Sequence, residues 1–464
     1  MIKTGRSISL AETCYCWSLR KHCYSTTCIN TVSKLFQPQN IVPKTVETKV
    51  DDVLCISHKL MMDQGVIRHA GVGSFHLLPL GVRALRKLTR IASREMQSLG
   101  AQRVKLPFLT PGELWRRTGR WEAAGPELFR VRDRHSRDYV LSPTHEEAVT
   151  ELVASVQLSH RSLPLRLYQV TSKFRDEMKP RLGLLRSREF LMKDLYTFDA
   201  SPESARRTYH DVCRAYDNIF TAVGIRYVRV EGEQGLMGGS LSHEYHYPAA
   251  VGEDELVLCP ACSYAANAQV GGGGARCPRC GHEGVSREPA IEVGHTFLLG
   301  ARYSEPLGAR CLAPDGRPVA LQMGCYGVGL TRLLAAAVEC LSSPDELRWP
   351  LAIAPFSVCI LPPKDGSKES VALDLSHKLY DALNSTGVLS DDVLMDDRCQ
   401  LTIGRRLMDA RKTGYPLVVV VGKKAALEQP LLEVHDLLRD QTLDLCLSDA
   451  VRYLTGKICD VAGP

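Results

Sequence analysis

The stretch that decides the fold reads Phe174-Arg175-Asp176-Glu177 and, after eight intervening residues, Arg186-Ser187-Arg188-Glu189-Phe190. Apolar and polar residues alternate between positions 165 and 199, which predicts two antiparallel strands joined by a charged loop at 178–182. Arginines on a strand and on its returning partner can converge on one face of a sheet. Together with the two glutamates they predict a site for a polyphosphate. The alternative is a solvated charged loop.

A second informative stretch is glycine-rich and leads into a helix. It reads Met323-Gly324-Cys325-Tyr326-Gly327-Val328-Gly329-Leu330-Thr331-Arg332, followed by an apolar run at 333–339. Glycines at three positions allow a backbone to approach a ligand closely, and Arg332 falls in the first turn of the predicted helix. No Gly-Lys-Ser/Thr follows, so this is not a Walker loop, and the acidic partner of a dinucleotide fold is missing.

The flanking sequence predicts a larger α+β unit and a smaller α/β unit. A helical stripe at 82–99 is followed by a short strand that ends at Pro107, and Pro202 opens a helix over 203–222. Beyond Pro350, apolar runs at 357–361 and 417–421 alternate with helical segments at 368–384 and 404–413. Such alternation predicts a small domain with a mostly parallel sheet.

Composition sets the broad class of the protein. The chain has 464 residues, of which 44 % are apolar and 24 % are charged, as in ordinary globular proteins of two to four domains. No run of 18 apolar residues occurs, so we expect no membrane-spanning helix and no membrane partner. A net charge of +6 permits a polyanionic partner but is too small to indicate one.

The first 40 residues differ in composition from the rest. Their basic residues are Lys3, Arg6, Arg20, Lys21 and Lys34, whereas Glu12 is the only acidic one, and serine and threonine recur. This composition predicts a mitochondrial transit peptide over 1–40 and therefore a location in the mitochondrial matrix. The alternative is an ordinary disordered tail.

Four of the 17 cysteines stand in two Cys-x-x-Cys pairs, Cys259 with Cys262 and Cys277 with Cys280. The pairs are separated by 14 residues, a spacing typical of a tetrahedral zinc site. Four thiolates leave no open coordination position on the metal. We therefore expect a structural zinc ion that stabilises a small folded unit. The alternative is a set of reduced thiols without metal.

Taken together, these stretches resemble class II aminoacyl-tRNA synthetases. Phe174–Glu177 resembles motif 2 of that class, 327–332 resembles motif 3, and the helix and strand before Pro107 resemble motif 1, which makes the dimer interface. Four phrases resemble the proline-activating members, namely Leu141-Ser142-Pro143-Thr144-His145-Glu146-Glu147, Ser187–Asp194, Gly238-Gly239-Ser240-Leu241-Ser242-His243-Glu244-Tyr245 and Met323–Gly327. The resemblance runs in order from about residue 50 to the C-terminus.

This resemblance implies an α+β catalytic domain over 50–350, with an antiparallel sheet of six to seven strands flanked by helices. It also implies a small Cys-rich insert at 251–290 and an α/β anticodon-binding domain over 355–464. The insert is too short for the editing domain that many bacterial relatives carry there. We therefore expect that no editing domain is present.

The resemblance also implies roles for individual residues. Thr144 and Glu146 would hold the proline ammonium, and His243 would line the proline pocket. Arg175 would grip the α-phosphate and the proline carboxylate. Glu177 would contact adenine, Arg186 and Ser187 would lie along the ATP, and Arg332 would bind the far phosphate or stack on adenine.

The implied partners are ATP with Mg²⁺, L-proline, the tRNA for proline and a second copy of the chain. Basic residues of the last domain are candidates to face the tRNA, although single basic residues on a helix are more often solvated. They are Arg405, Arg406, Arg411 and Lys412.

Two other functions fit part of the pattern. One is a class II synthetase of different specificity, the threonyl enzyme being nearest. The other is a synthetase-like accessory subunit that binds nucleic acid without catalysis. We expect such a subunit to have lost Arg175, Glu177 or Arg332, and all three are present.

Overall fold

A computed structural model describes residues 29–39, 55–271 and 276–462 of the chain. Residues 1–28 of the predicted transit peptide lie outside this range. The strands are, in chain order, β1 (Ile67–Gly71), β2 (Ser74–Leu77), β3 (Gln102–Arg103), β4 (Leu109–Pro111), β5 (Phe129–Arg132), β6 (Asp138–Leu141), β7 (Leu158–Ser159), β8 (Leu165–Phe174), β9 (Glu189–Asp199), β10 (Val228–Glu231), β11 (Leu241–Pro248), β12 (Asp254–Leu258), β13 (Ala265–Asn267), β14 (Ser286–Gly300), β15 (Arg310–Leu312), β16 (Pro318–Ala320), β17 (Gln322–Gly329), β18 (Val358–Leu361), β19 (Val393–Met395), β20 (Leu417–Val420), β21 (Leu432–Asp436) and β22 (Gln441–Leu445).

The α-helices of the described residues are, in the same order, α1 (Ile56–Asp63), α2 (Pro79–Ser98), α3 (Gly112–Arg117), α4 (Arg120–Ala123), α5 (Glu146–Ala154), α6 (Pro202–Val223), α7 (Ala268–Gly271), α8 (Ser304–Leu307), α9 (Leu330–Leu341), α10 (Leu373–Ser385), α11 (Ile403–Thr413) and α12 (Leu447–Ala462).

The larger part of the chain is built on one nine-stranded sheet. Six of its strands are mutually antiparallel, in the spatial order β10, β11, β14, β17, β9, β8. The short strand β3 is parallel to β8, and β12 and β13 extend the sheet from the Cys-rich insert. The antiparallel α+β architecture predicted from the sequence is confirmed.

The hairpin formed by β8 and β9 is the longest regular pairing in this sheet. It runs from Leu165 opposite Phe198 to Phe174 opposite Glu189, and it places Gln169 directly opposite Asp194. The hairpin lies at the predicted place, and its connecting loop carries the charged residues between 175 and 188.

Three long helices cover one face of the sheet. They are α2, α6 and α9, and their buried residues include Leu88, Tyr216, Phe220 and Leu334. Local signals fix the ends of α6, because the Ser201 hydroxyl accepts a hydrogen bond from the Ser204 amide and Gly224 closes the helix at a φ of 82°. The opposite face of the sheet is left to the shorter elements and to a cleft.

The C-terminal part is a five-stranded sheet in the order β19, β18, β20, β21, β22. The pairings of β18 with β19 and with β20 are parallel, whereas β20–β21 and β21–β22 are antiparallel. The sheet is therefore mixed and not mostly parallel as predicted, because the chain after β20 returns through two hairpin connections. Helices α10 and α12 pack on one face over Leu379, Leu383 and Leu454.

Residues 29–39 form a strap that joins the two parts of the molecule. Thr31 makes a parallel bridge to Met395, and the Ser33 amide donates to Asp397 Oδ1 at 2.9 Å. Further along, Gln37 Nε2 donates to the Gln64 carbonyl at 3.0 Å, and Arg68 donates to the Pro38 carbonyl. These contacts lie within the last residues of the predicted transit peptide, so the strap has a structural role in the described fold.

None of the helices in the described part of the chain is both long enough and apolar enough to cross a membrane.

The strap leads to a prediction about stability. A variant that begins at residue 40 should melt several degrees below one that begins at residue 29, because it loses the strap's hydrogen bonds and the packing of Val32 and Leu35, roughly 2–4 kcal/mol in all. Thermal unfolding of both variants is the measurement. Phe36→Ala serves as a control, because this side chain is 68 % exposed and its loss should change little. Equal melting temperatures for the two truncated chains would contradict a structural role for the strap.

Candidate active site

A cleft of about 300 Å³ opens on the sheet face that the long helices leave free. Strands β9, β14 and β17 form its floor, and residues before α5, after β8 and at the start of α9 form its walls. Its lining residues include Arg120, Thr144, Glu146, Arg175, Phe190, Glu292, His295, Cys325, Gly327, Gly329 and Arg332. The two sequence stretches that were predicted to carry chemistry therefore meet in one place.

One end of the cleft is cationic. The Arg175 guanidinium lies 5.2 Å above the Phe190 ring, and none of the described residues offers it a hydrogen bond or an ion pair. Desolvation and the like charge of Arg332 lower the pKa of Arg175. Arg332 is anchored, since its Nε donates to the Leu185 carbonyl at 2.9 Å and its side chain faces the Glu292 carboxylate at 3.4 Å. A guanidinium without a hydrogen-bonded partner among the described residues is a binding group for an anion.

A β-bulge brings Glu292 and His295 to the same wall. Tyr245 lies opposite Gly294 while His246 lies opposite Glu292, so Val293 is the extra residue in β14. Residues three apart would otherwise point to opposite faces of a strand. His295 Nδ1 lies 2.9 Å from Glu292 Oε1, and its Nε2 lies 2.6 Å from the Ser242 hydroxyl.

These contacts set the charge of Glu292. Burial opposes ionisation, but the hydrogen bond and charge of His295 and the charge of Arg332 together lower the pKa of Glu292. The cleft therefore holds an ionised carboxylate beside its two arginines.

The other end of the cleft is anionic. The Thr144 hydroxyl donates to Glu146 Oε1 at 2.7 Å, and the Cys325 thiol donates to the same oxygen at 2.8 Å. The Glu146 side chain is fully buried at the first turn of α5. An anionic end opposite a cationic end suits a ligand that carries an ammonium group and an anionic group.

A buried network positions this anionic end. Asp194 accepts hydrogen bonds from Lys173 at 2.8 Å, Gln169 at 2.9 Å and Tyr196 at 2.8 Å. The Tyr196 hydroxyl in turn accepts a bond from the His145 amide at 2.9 Å. The turn that carries Thr144 and Glu146 is thus tied to the middle of the β8–β9 hairpin.

Some predicted residues lie outside the cleft lining. Glu177 pairs with Arg186 at 3.0 Å in the loop between β8 and β9, and Arg186 also pairs with Glu253 at 2.6 Å. Ser187 is buried, and its hydroxyl donates to the Glu189 carbonyl at 2.9 Å.

His243 is not brought to the cleft. Its Nδ1 lies 2.8 Å from the Tyr209 hydroxyl, beneath α6, and burial lowers the pKa of His243 to about 4. His243 and His295 lie on neighbouring strands, β11 and β14, and it is His295 that lines the cleft.

The three glycines of the glycine-rich stretch differ in what they lie against. Gly327 and Gly329 line the cleft, as expected. A Cβ on Gly324 would lie 2.2 Å from the Tyr326 hydroxyl and 2.8 Å from the Thr197 hydroxyl. Gly324 therefore makes room for a buried tyrosine and not for a ligand.

Three functional candidates were missed by sequence reasoning, namely Arg120, Glu292 and His295. Glu292 and His295 stand in a charged stretch before the glycine-rich segment, but the bulge that unites them has no sequence signal. Arg120 follows Gly119, whose φ of 74° marks a helix start, yet nothing in the local sequence shows that it is buried against α5.

The four cysteines of the two Cys-x-x-Cys pairs come together in the insert. Their sulfur atoms all lie within 4.8 Å of one another, with Cys259 Sγ 3.7 Å from Cys280 Sγ and Cys262 Sγ 3.6 Å from Cys277 Sγ. Four sulfurs held tetrahedrally at about 2.3 Å from a zinc ion are separated by about 3.8 Å. The arrangement fits that geometry.

The basic residues of the last domain separate into two groups. Arg406 is fully buried, and it donates to the Asp396 carbonyl at 2.9 Å and to the Pro362 carbonyl at 2.6 Å, so the hypothesis that it faces RNA is wrong. Arg411 lies 3.6 Å from Glu346, at the junction of the two parts. Arg405 and Lys412 are exposed.

Comparison with known proteins adds two family matches. The model described as "tRNA synthetase class II core domain (G, H, P, S and T)" matches residues 129–340, and the "Anticodon binding domain" model matches residues 357–457.

Individual relatives are also similar. A Homo sapiens protein named "Probable proline--tRNA ligase, mitochondrial" is 48 % identical over 429 residues, covering 89 % of this chain and 90 % of the relative. A Rattus norvegicus protein of the same name is 47 % identical over 431 residues, covering 92 % and 90 %. The solved structure of Giardia lamblia prolyl-tRNA synthetase in complex with prolyl-adenylate has a TM-score of 0.71 at 18 % identity, covering 89 % of this chain and 81 % of that one. This structural likeness shows the fold.

Proposed function

The chain belongs to the proline–tRNA ligases, which are class II aminoacyl-tRNA synthetases, and we propose on this premise that its cleft holds proline and ATP side by side. The enzyme attaches proline to tRNA in an ATP-dependent reaction through prolyl-adenylate, and it serves mitochondrial translation. Membership of this family removes the threonyl and accessory-subunit alternatives.

One observation supports the proposed orientation of proline. The cleft has the unpaired Arg175 at one end and the Thr144–Glu146 pair at the other. Proline carries an ammonium and a carboxylate, so the ammonium points to Glu146 and the carboxylate to Arg175. His295, which lines the cleft, takes the place in the proline pocket that the sequence suggested for His243.

The first chemical step needs charge neutralisation and positioning more than proton transfer. The proline carboxylate attacks the α-phosphorus of ATP, a carboxylate–phosphate bond forms, and pyrophosphate leaves with the electrons of the broken bond. The nucleophile is already ionised, so no general base is required. Arg175 brings the two anions together and stabilises the charge that develops on the α-phosphate oxygens.

In the second step the terminal hydroxyl of the tRNA attacks the activated carbonyl and loses its proton, and AMP leaves with the electrons of the broken acyl–phosphate bond. Mg²⁺ bound with ATP would supply further neutralisation of the phosphates. Among the carboxylates of the cleft, Glu292 offers hard oxygen ligands next to the arginines, so it is the candidate to hold this ion.

The nucleotide-binding roles of the remaining residues are supported unequally. Arg332 faces the cleft and is anchored for a phosphate or an adenine ring. Glu177 and Arg186 bind each other in the loop that adjoins Arg175, which suits contacts to the outer part of ATP. The buried Ser187 hydroxyl bonds to the backbone, which favours a role in shaping the loop.

We also propose the macromolecular partners. The C-terminal domain binds the anticodon of the tRNA for proline, with exposed Arg405 and Lys412 as candidate contacts. The exposed apolar side chains of Phe108 and Leu109, which follow β3, suit a contact with a second copy of the chain.

Replacing Arg175 tests the proposed chemistry. Arg175→Ala should lower proline-dependent exchange of pyrophosphate into ATP by about 10²–10³-fold, the usual effect of losing one transition-state contact of about 3–4 kcal/mol. The control is Arg134→Ala, an exposed arginine in the turn between β5 and β6, which should leave exchange unchanged. Near-normal exchange in a folded Arg175→Ala enzyme would show that this residue has been misassigned.

We propose that the four cysteines of the insert hold a structural zinc ion. Purified enzyme should contain about one zinc per chain by metal analysis. Cys259→Ser should lose the metal and lower the melting temperature while some activity remains, because the site lies outside the cleft. Cys459→Ser, at an exposed cysteine in α12, is the matched control. Zinc-free protein with four freely titratable thiols would disprove the proposal.

The size of the insert leads to a prediction about errors. A pocket for the proline ring cannot exclude the smaller alanine sterically, and each missing methylene gives only about 1–3 kcal/mol of discrimination. The insert holds the cysteine cluster, β12, β13 and α7 in the described residues. We therefore expect the enzyme to form alanyl-tRNA at a measurable rate and not to hydrolyse it.

The measurement is hydrolysis of preformed alanyl-tRNA, on the tRNA for proline, in the presence and absence of enzyme. Prolyl-tRNA incubated in parallel serves as the control for spontaneous loss. Deacylation of the alanyl ester well above the spontaneous rate would reveal an editing site in this chain.

A further inference from the structure

Arg120 is buried at the anionic end of the cleft and is shared by two carboxylates. Its side chain lines the cleft and is only 7 % exposed. A single guanidinium nitrogen, Nη1, lies 3.2 Å from Glu146 Oε2 and 3.0 Å from Glu147 Oε1. Glu146 lines the cleft, whereas Glu147 lies behind Arg120 and also accepts a hydrogen bond from Thr118 at 3.0 Å.

The position of Arg120 is fixed from all sides. Its guanidinium lies 4.7 Å from the Trp115 ring and 5.6 Å from the Tyr303 ring, and Nη2 donates to Met237 Sδ at 3.3 Å. Burial alone would lower the pKa of Arg120, but the carboxylates of Glu147 and Glu146 raise it, so the guanidinium stays charged. Burial and the charge of Glu146 raise the pKa of Glu147, and the Arg120 guanidinium and the Thr118 hydroxyl offset only part of that rise.

The other titratable groups around this end add no net charge. Burial raises the pKa values of Cys325, Tyr196 and Tyr303, which keeps all three neutral, and lowers the pKa of His145 to about 4, which keeps it neutral as well. Lys173 and Asp194 form a 2.8 Å ion pair. Lys193 points to the helix-covered face, where it contacts Met96 and Tyr216.

Glu147 accepts hydrogen bonds from Arg120 Nη1 on both carboxylate oxygens, at 3.0 and 3.2 Å, and a third from Thr118. These are the contacts of an ionised carboxylate, so two carboxylates stand against one guanidinium. We propose that Arg120 and Glu147 set the net charge of the amino-group pocket to one negative charge, so that the pocket is completed by the ammonium of proline and rejects uncharged ring acids. This inference rests on the proposed role of Glu146 as the partner of that ammonium. Arg120 and Glu147 are positioning and specificity residues, since they act on the substrate through Glu146.

The arrangement has a physical advantage over a lone glutamate. Two buried carboxylates without Arg120 would repel each other and share a proton, and Glu146 would lose the hydrogen bond that fixes its second oxygen. Arg120 with Glu146 alone would make a neutral pocket with little attraction for a cation. The triad keeps Glu146 ionised and oriented while one negative charge remains for the ligand.

The test uses Glu147→Gln, which removes one charge without changing the shape of the side chain and without touching the cleft. The probes are L-proline and tetrahydrofuran-2-carboxylate, which has the proline ring with an uncharged oxygen in place of the ammonium nitrogen. Pyrophosphate exchange gives KM for proline and for ATP, and competition gives Ki for the analogue.

In Glu147→Gln we expect KM for proline to rise roughly ten- to a hundredfold, the effect of removing one partly screened charge near the ammonium. Ki for the analogue and KM for ATP should change little, so the preference for the charged ligand falls. The double variant Arg120→Met with Glu147→Gln restores one net negative charge. It should recover most of that preference.

Several outcomes would overturn the inference. One is an unchanged preference in Glu147→Gln, and another is a double variant no better than Glu147→Gln. Thermal unfolding shows which variants are folded. If variants that carry Arg120→Met do not fold, the isosteric Glu147→Gln alone still tests the inference. Glu146→Gln distinguishes a failure of the charge-setting inference from a failure of the proposed ammonium site. If it raises KM for proline while Glu147→Gln does not, the charge-setting inference fails, and if neither does, the proposed ammonium site itself is wrong.

Discussion

The buried carboxylate of Asp194 is the constraint on which the site depends. It lies midway along the pairing of β8 with β9 and is neutralised by Lys173, and both side chains are almost completely buried. A buried charge without partners would be too costly to keep, so Asp194 requires hydrogen bonds on all sides. Gln169 and Tyr196 supply them, and these two groups connect onward to the Leu106 amide and the His145 amide. The pairing of β8 with β9 thereby fixes the loop that binds the amino group.

The same principle of paired and unpaired charges explains the cleft. Arg332 is held by Leu185 and Glu292, and Glu146 is held by Thr144, Cys325 and Arg120. Against this background the unpaired Arg175 is the exception among these groups, and an anion is needed to complete it. A ligand with one ammonium and adjacent anionic groups satisfies both ends at once. The fold thus supplies a fixed electrostatic frame, and the reacting groups come from the substrates.

Much of the architecture could be predicted because it follows local patterns. The β8–β9 hairpin, helices α2 and α6 and the helix after the glycine-rich stretch all have strong periodicity and clear end signals. The cysteine pairs were predicted by spacing alone and do converge. The resemblance to a family placed Arg175, Arg332, Thr144 and Glu146, and the structure brings these four side chains to one cleft.

The errors share a physical cause, which is that tertiary packing decides them. A bulge at Val293 places Glu292 and His295 on one wall, and no period-two pattern predicts that. Gly324 resembles a ligand-contact glycine but makes room for Tyr326, and Arg406 resembles an RNA-facing residue but is buried against backbone carbonyls. The position of Arg120 could not be predicted, because it depends on how α4 packs against α5. Pyrophosphate exchange by the purified enzyme, measured with each amino acid separately, tests the central claim most directly. The account predicts strong exchange with proline and much weaker exchange with alanine and threonine, whereas exchange driven by threonine, or none with proline, would contradict it.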